Sequence, residues 1–117
     1  MVLPAGLLTI ERNTFSNCTG FTGPLTFPSG ILSIEEEAFQ GCTNISGTIM
    51  FPATLTSVKE YAFDNCDNVD AFQFPHNTPL QYKTSMLPSG ATVKVPLSAV
   101  ATYQSTDGWK DFNIVGY

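Results

Sequence analysis

Three cysteines, Cys18, Cys42 and Cys66, recur at intervals of 24 residues and are the first candidates for chemistry. Cysteines can form disulfides or bind zinc, but zinc requires four ligands that converge on one point. Three cysteines at one repeat spacing would instead form a line, and a disulfide between two of them would leave the third unpaired. We therefore expect reduced thiols that are buried and pack as small apolar side chains. Neither a metal ion nor another cofactor is expected.

Consecutive carboxylates at Glu35, Glu36 and Glu37 could bind a cation or provide an acid–base pair. Metal cages need oxygen ligands that converge from several elements, whereas consecutive side chains diverge. The matching positions 11–13 and 59–61 carry no consistent acid. A solvated turn is the better interpretation, in which Glu35 lies beside Lys59 and forms a weak exposed ion pair.

His76 is the only histidine, so a catalytic triad or a cysteine–histidine pair would have to use it. It lies in the turn-rich segment PHNTP, and the chain has no nucleophile motif to accompany it. We therefore expect His76 to be an exposed junction residue, and we expect no enzymatic activity.

The charge of the chain argues against two classes of partner. The formal net charge is −5, and the five basic residues are scattered singly. Nucleic acids and anionic membranes need a basic patch, so neither is expected to bind. The sequence has no apolar run approaching the roughly 20 residues that span a bilayer. Its start, MVLPAGLLTI, has no signal-peptide pattern, so we expect a fragment whose signal or anchor lies elsewhere.

An internal repeat organises most of the chain, with units at about 3–26, 27–50 and 51–73. Each unit has two sets of apolar residues. The second set alternates apolar and polar residues as a strand does. The first set is also predicted to be a short strand and comprises Leu7, Leu8 and Ile10, then Ile31, Leu32 and Ile34, then Leu55 and Val58.

The stretches between the two sets are too short for full helices and suit a 3-10 turn or a single α turn. Each turn directs a phenylalanine inward, at Phe15, Phe39 and Phe63. Stacked units would join their apolar faces into one core. The fold predicted is mainly β: a short leucine-rich-repeat solenoid of three to four coils with parallel β ladders, closed by a small α/β cap.

The repeat resembles the BspA-like bacterial leucine-rich repeat. The residues that carry the resemblance, with their counterparts in the other units, are Pro28, Ile34, Ala38, Phe39, Cys42, Ile45, Gly47, Phe51 and Pro52. Unit one departs at Thr14, where the family prefers alanine, and unit three loses the glycine at Ala71-Phe72. The resemblance covers residues 3–75. It implies a bacterial cell-surface or secreted protein that contacts host matrix proteins, cell-surface proteins or glycans.

Residues 1–75 are expected to carry the repeats and residues 76–117 to form a C-terminal cap, in which residues 84–117 resemble the module that terminates these solenoids. We expect a strand at Thr92–Val95, a helix at Leu97–Gln104 with Ser98 near its cap, and an edge strand at Asn113–Tyr117. A terminal element must cover the last coil, and the aromatic plug is expected to comprise Tyr103, Trp109 and Phe112. No such element precedes Leu3, so upstream repeats or a domain are expected there.

The outer surface of the second strand set is the candidate partner-binding face, because solenoids use such extended faces for recognition. It lacks a cluster of Trp, Tyr or Arg that would mark a hot spot. A binding or adhesion module is the leading hypothesis, and a structural spacer without its own ligand is the alternative. The residues expected on this face are Thr22, Pro24, Thr26, Ser46, Thr48, Met50, Asp70, Ala71 and Gln73.

Overall fold

The structure is a computed structural model that describes residues 3–117. It is built mainly of short parallel strands with a single short α-helix, which confirms the predicted fold class. Seven strands and one α-helix follow each other as β1 Thr9–Ile10, β2 Ser33–Ile34, β3 Gly47–Met50, β4 Ser57–Val58, β5 Val69–Gln73, β6 Thr92–Val95, α1 Val100–Ser105 and β7 Asn113–Gly116.

The first sheet has the order β1-β2-β4 and contains one two-residue strand from each repeat unit. Its parallel register pairs Ile10 with Ile34 and Ile34 with Val58, so these buried side chains form an apolar row. Leu8 and Leu32 were expected to belong to these strands but lie before them, and they are 54% and 43% exposed. A turn closed by backbone hydrogen bonds such as Ile31 N–H to Pro28 O precedes each strand. The alternation of inward and outward side chains in the strands therefore does not extend back to Leu8 and Leu32.

The turns of successive units stack through backbone hydrogen bonds that repeat with the units. The N–H of Phe15 donates to Ala38 O and that of Phe39 to Ala62 O, both at 2.8 Å. The N–H of Phe63 donates in the same way to Met86 O at 3.1 Å. Residues 83–87, which sequence analysis assigned to the cap, therefore continue the turn ladder of the repeats.

A left-handed backbone conformation marks the same position of every turn. The positive φ angles at this position are 60° at Asn13, 58° at Glu37, 61° at Tyr61 and 53° at Ser85. Residues other than glycine and asparagine adopt this region at a cost. The structure of the turn therefore overrides the local preference of Glu37, Tyr61 and Ser85.

The second sheet has the order β3-β5-β6-β7 and joins the repeats to the C-terminal part. Between β3 and β5 the register shifts, since Gly47 pairs with Val69 and Thr48 with Ala71. Asp70 is thus the extra residue of a β-bulge. Unit one contributes only isolated bridges to this sheet, at Gly23 and Thr26.

The C-terminal part closes the last coil as expected, with Tyr103 and Trp109 fully buried and Phe112 partly buried against the core. The Trp109 indole donates to Leu80 O at 2.7 Å. The expected helix begins as a 3-10 turn at Leu97–Ala99 before α1, and Ser98 makes no capping hydrogen bond. The strand β6 has the bounds expected, and β7 is the edge strand of its sheet.

Candidate binding face

One row of side chains runs across the outer face of the second sheet. Met50 of β3 pairs with Thr26 on one side and with Gln73 of β5 on the other. Gln73 pairs in turn with Lys94 of β6, and Lys94 with Val115 of β7. These five in-register positions form one surface, which we call the sheet face. It extends from the first repeat unit to the last strand of the cap.

The sheet face is mostly polar, and Met50 is its most exposed apolar side chain at 61%. Thr26 is exposed, whereas Gln73 and Lys94 are half-buried. Thr48 precedes Met50 by two residues on β3, and alternation places it on the same side of the sheet. A surface of this kind can present hydroxyl, amide and ammonium groups around one thioether.

The other residues named from sequence lie beside this row. Thr22 and Asp70 are exposed and Ser46 is half-buried. Ala71 was expected to be exposed and is only 2% accessible, so that expectation is wrong. It pairs with Thr48 inside the sheet and has a side chain too short to reach beyond its neighbours.

Sequence reasoning missed Lys94 and Val115 as members of the sheet face. The alternating pattern of Thr92–Val95 predicted a strand, but it carried no information on the partner of that strand. The parallel pairing of β5 with β6, at Phe72–Val93 and Gln73–Lys94, places the cap in the same sheet as the repeats.

The cysteines form a line on the inner side of the turns. Cys42 and Cys66 are fully buried as expected, and Cys18 of the first unit is half-buried. The Cys66 thiol donates to Phe39 O at 3.0 Å. Burial raises the pKa of Cys42. Burial is also the larger cause that raises the pKa of Cys66 to about 12, and repulsion from the ionised form of Cys42 is the next. Both thiols are therefore held protonated at neutral pH and are poor nucleophiles.

His76 is half-buried against the last repeat, so the expectation of an exposed residue is wrong. Its Nε2 lies 2.8 Å from Leu55 O, and its own carbonyl accepts a hydrogen bond from the Tyr103 hydroxyl at 2.8 Å. Its Nδ1 is buried without a hydrogen-bond partner. These contacts hold the segment after the last repeat onto the cap, and they do not connect the imidazole to a nucleophile.

The acidic turn makes a different ion pair from the one expected. Glu37 lies 3.7 Å from Arg12 of the preceding unit, with both side chains partly exposed. Glu35 and Lys59 form no ion pair, so that expectation is wrong. Within residues 3–117, no group of three or more His, Cys, Asp or Glu side chains is placed to hold a metal ion.

The first coil leaves part of the apolar core uncovered. Phe15 stacks on Phe39 on one side, with 5.2 Å between ring centroids. Phe15 and Leu7 are half-buried, whereas their counterparts in the next unit are fully buried. A hollow of about 270 Å³ lies here, lined by Leu3, Pro4, Leu7, Thr9, Ile10, Glu11, Thr14 and Phe15.

Comparison with known proteins agrees with this architecture. A family model described as the BspA type leucine-rich repeat region (6 copies) matches residues 1–87. No curated protein matches the chain in sequence. No helix within residues 3–117 has the length and apolar character needed to cross a membrane.

The repeats of the BspA type form protein-interaction or repeat modules that are typically non-enzymatic and found on the surface of bacteria or secreted by them. The match spans most of the chain, and the chain belongs to the BspA-type leucine-rich repeat family.

Proposed function

We propose that the chain is an adhesion module of a bacterial cell-surface or secreted protein, which recognises its partner through the sheet face without catalysis. The observation that carries this proposal is the register of Thr26, Met50, Gln73, Lys94 and Val115 across repeats and cap. A solenoid buries its core side chains internally and leaves such an extended face for recognition.

The candidate partners are host matrix proteins, cell-surface proteins and glycans, and an array of these ligands tests the proposal. The wild-type chain is compared with a variant carrying Thr48→Glu and Met50→Glu, which adds two charges to the sheet face. The matched control carries Leu8→Glu and Leu32→Glu, which adds two charges at exposed positions directly before strands β1 and β2 of the other sheet. Binding lost in the first variant and kept in the control supports the proposal.

A partner bound equally by all three proteins would exclude the sheet face. The melting temperatures of the three chains are measured alongside. Met50, Leu8 and Leu32 are exposed and Thr48 is half-buried, so we expect the substitutions to change stability little. A variant that has unfolded cannot be compared, and single substitutions at the same positions then replace the pairs.

A second candidate function, a structural spacer in a longer stack of coils, is favoured by the uncovered hollow at Phe15 and Leu7. It predicts that the wild-type chain binds nothing on the array. It also predicts that a copy of residues 27–50 fused ahead of residue 3 raises the melting temperature, because it would cover that hollow. An unchanged melting temperature would contradict the spacer.

A further inference from the structure

A cavity of about 250 Å³ opens where the last turns of the repeats meet the cap, away from the hollow at the first coil. It combines aromatic, hydroxyl, carboxylate and backbone groups within one concave surface. The lining residues that matter here are Asp64, Tyr82, Ser85, Ser89, Gly108 and Asp111.

An aromatic ring is held in place as one wall of the cavity. Tyr82 lies directly over Gly108, where a side chain would overlap its ring, and the φ of 83° at Gly108 also favours glycine. The rings of Tyr82 and Phe112 are tilted by 52° with centroids 6.3 Å apart. Tyr82 remains 39% exposed, so its ring is accessible to a ligand.

The polar groups of the cavity are free to form further hydrogen bonds with a ligand. Asp64 accepts one hydrogen bond, from Gln40 to Oδ2 at 3.3 Å. The side chains of Ser85, Ser89 and Asp111 make no hydrogen bond or ion pair with the described residues. No lining residue is basic. The nearby Lys110 directs its Nζ to Asp107, at 3.3 Å.

A neighbouring cavity of about 210 Å³ lies between this region and strand β6, with Thr92 in its lining. The two cavities share Ser89 and Gly90 as a common wall. The neighbouring cavity is lined also by Asp67 and by Asp70, the bulge residue beside the sheet face. A partner that contacts both cavities would pass over Ser89 and Gly90 and meet the carboxylates of Asp67 and Asp70.

We infer that the cavity beside Tyr82 receives an arginine or lysine side chain of a protein partner. This inference rests on the proposed function, since it names the chemistry of the ligand that the module recognises. A guanidinium or ammonium group is attracted to the face of an aromatic ring. The same group makes charge-assisted hydrogen bonds to carboxylates such as those of Asp64 and Asp111. A neutral sugar could use the same acceptors but would leave both negative charges uncompensated.

The test uses the whole chain labelled with ¹⁵N and the peptide acetyl-Gly-Arg-Gly-amide at low ionic strength. A peptide with citrulline in place of arginine is the control, because it keeps the shape and removes the charge. We expect the arginine peptide to shift the amide signals of Ser85, Ser89 and Gly108, with saturation as it is titrated. The citrulline peptide should leave these signals unchanged.

A pair of variants separates a specific site from a general effect of net charge. Asp64→Asn with Asp111→Asn should weaken binding of the arginine peptide about tenfold, because both charged acceptors are lost. Glu35→Gln with Glu36→Gln changes the net charge equally at a turn two coils away, outside the lining of the cavity, and should leave binding unchanged. Equal weakening by both pairs, or equal shifts from both peptides, would overturn the inference.

Two further outcomes are decisive. A neutral monosaccharide that shifts these amides when the arginine peptide does not would make the cavity a sugar site and overturn the inference. If the arginine peptide fails to bind while a partner from the array is lost on changing Thr48 and Met50, the inference fails and the proposed function stands.

Discussion

The rings of Phe39 and Phe63 lie almost parallel in the core, with 5.1 Å between their centroids and 6° between their planes. Both side chains are fully buried, whereas Phe15 at the end of the stack is half-buried. We expect Phe39→Ala to lower the free energy of unfolding by about 3–5 kcal/mol, because it removes a ring and leaves a cavity. Phe15→Ala should lower the free energy of unfolding clearly less. Urea denaturation measures both, and equal losses would contradict the stacked core.

The left-handed position of the turns predicts a stabilising substitution. Glu37 has a φ of 58°, and Glu36 is not among the residues with positive φ. Glu37→Gly should raise the free energy of unfolding by about 0.5–1 kcal/mol, because glycine adopts this conformation without steric cost. The ion pair with Arg12 is partly exposed, so its loss should matter little.

The neighbouring substitution Glu36→Gly is the control and should lower stability, since glycine gains nothing at negative φ and loses more conformational entropy on folding. Denaturant titrations of the two variants can be compared directly with wild type. A loss of stability in Glu37→Gly equal to that in Glu36→Gly would argue against the turn conformation.

The hydrogen bond from the Tyr103 hydroxyl to His76 O allows us to predict how much the cap contributes to stability. Tyr103 is fully buried, and its hydroxyl donates at 2.8 Å. Tyr103→Phe should lower the free energy of unfolding by about 0.5–1.5 kcal/mol, because the carbonyl of half-buried His76 loses its donor. Tyr117→Phe is the control, since that hydroxyl lies 3.4 Å from Phe74 O and Tyr117 is 52% exposed. A larger loss of melting temperature in Tyr117→Phe would be inconsistent with this packing.

Alkaline pH should destabilise the fold. Burial raises the pKa of Cys66 from 9.0 to about 12 and that of Tyr103 from 10.0 to about 12. The folded state retains protons that the unfolded chain releases, so the stability from these groups is complete below about pH 9. It is lost between about pH 9 and 12, by about 1.4 kcal/mol per group and pH unit while each titrates only in the unfolded state.

Urea titrations between pH 7 and 11 measure this effect, and Cys66→Ala should reduce the slope above pH 9. An unchanged free energy of unfolding up to pH 11 would contradict the protonated, buried state of both groups.

The repeat predicted much of the fold because every unit contains the same buried positions. The spacing of Phe15, Phe39 and Phe63 was sufficient to predict their stack, and Tyr103 and Trp109 were correctly predicted to be buried. The exposure of Leu8 could not be predicted, because it depends on a turn that interrupts strand alternation.

The membership of the sheet face was harder to predict than the fold. Strand pairing is a relation between distant residues, and the sequence of β6 does not identify β5 as its neighbour. Lys94 and Val115 were therefore missed, and Ala71 was included although its short side chain is covered. The cavity beside Tyr82 arises from contacts between the turns and the cap, which no local pattern encodes.

The most direct test of the central claim is to map a bound partner on the ¹⁵N-labelled chain by NMR. The partner identified on the array is titrated into the whole chain, and the amide signals that change are assigned. We expect the changes to concentrate at Thr26, Thr48, Met50, Gln73 and Lys94. Changes confined to the first sheet, around Leu8, Leu32 and Thr56, would contradict the claim that the chain binds through its sheet face.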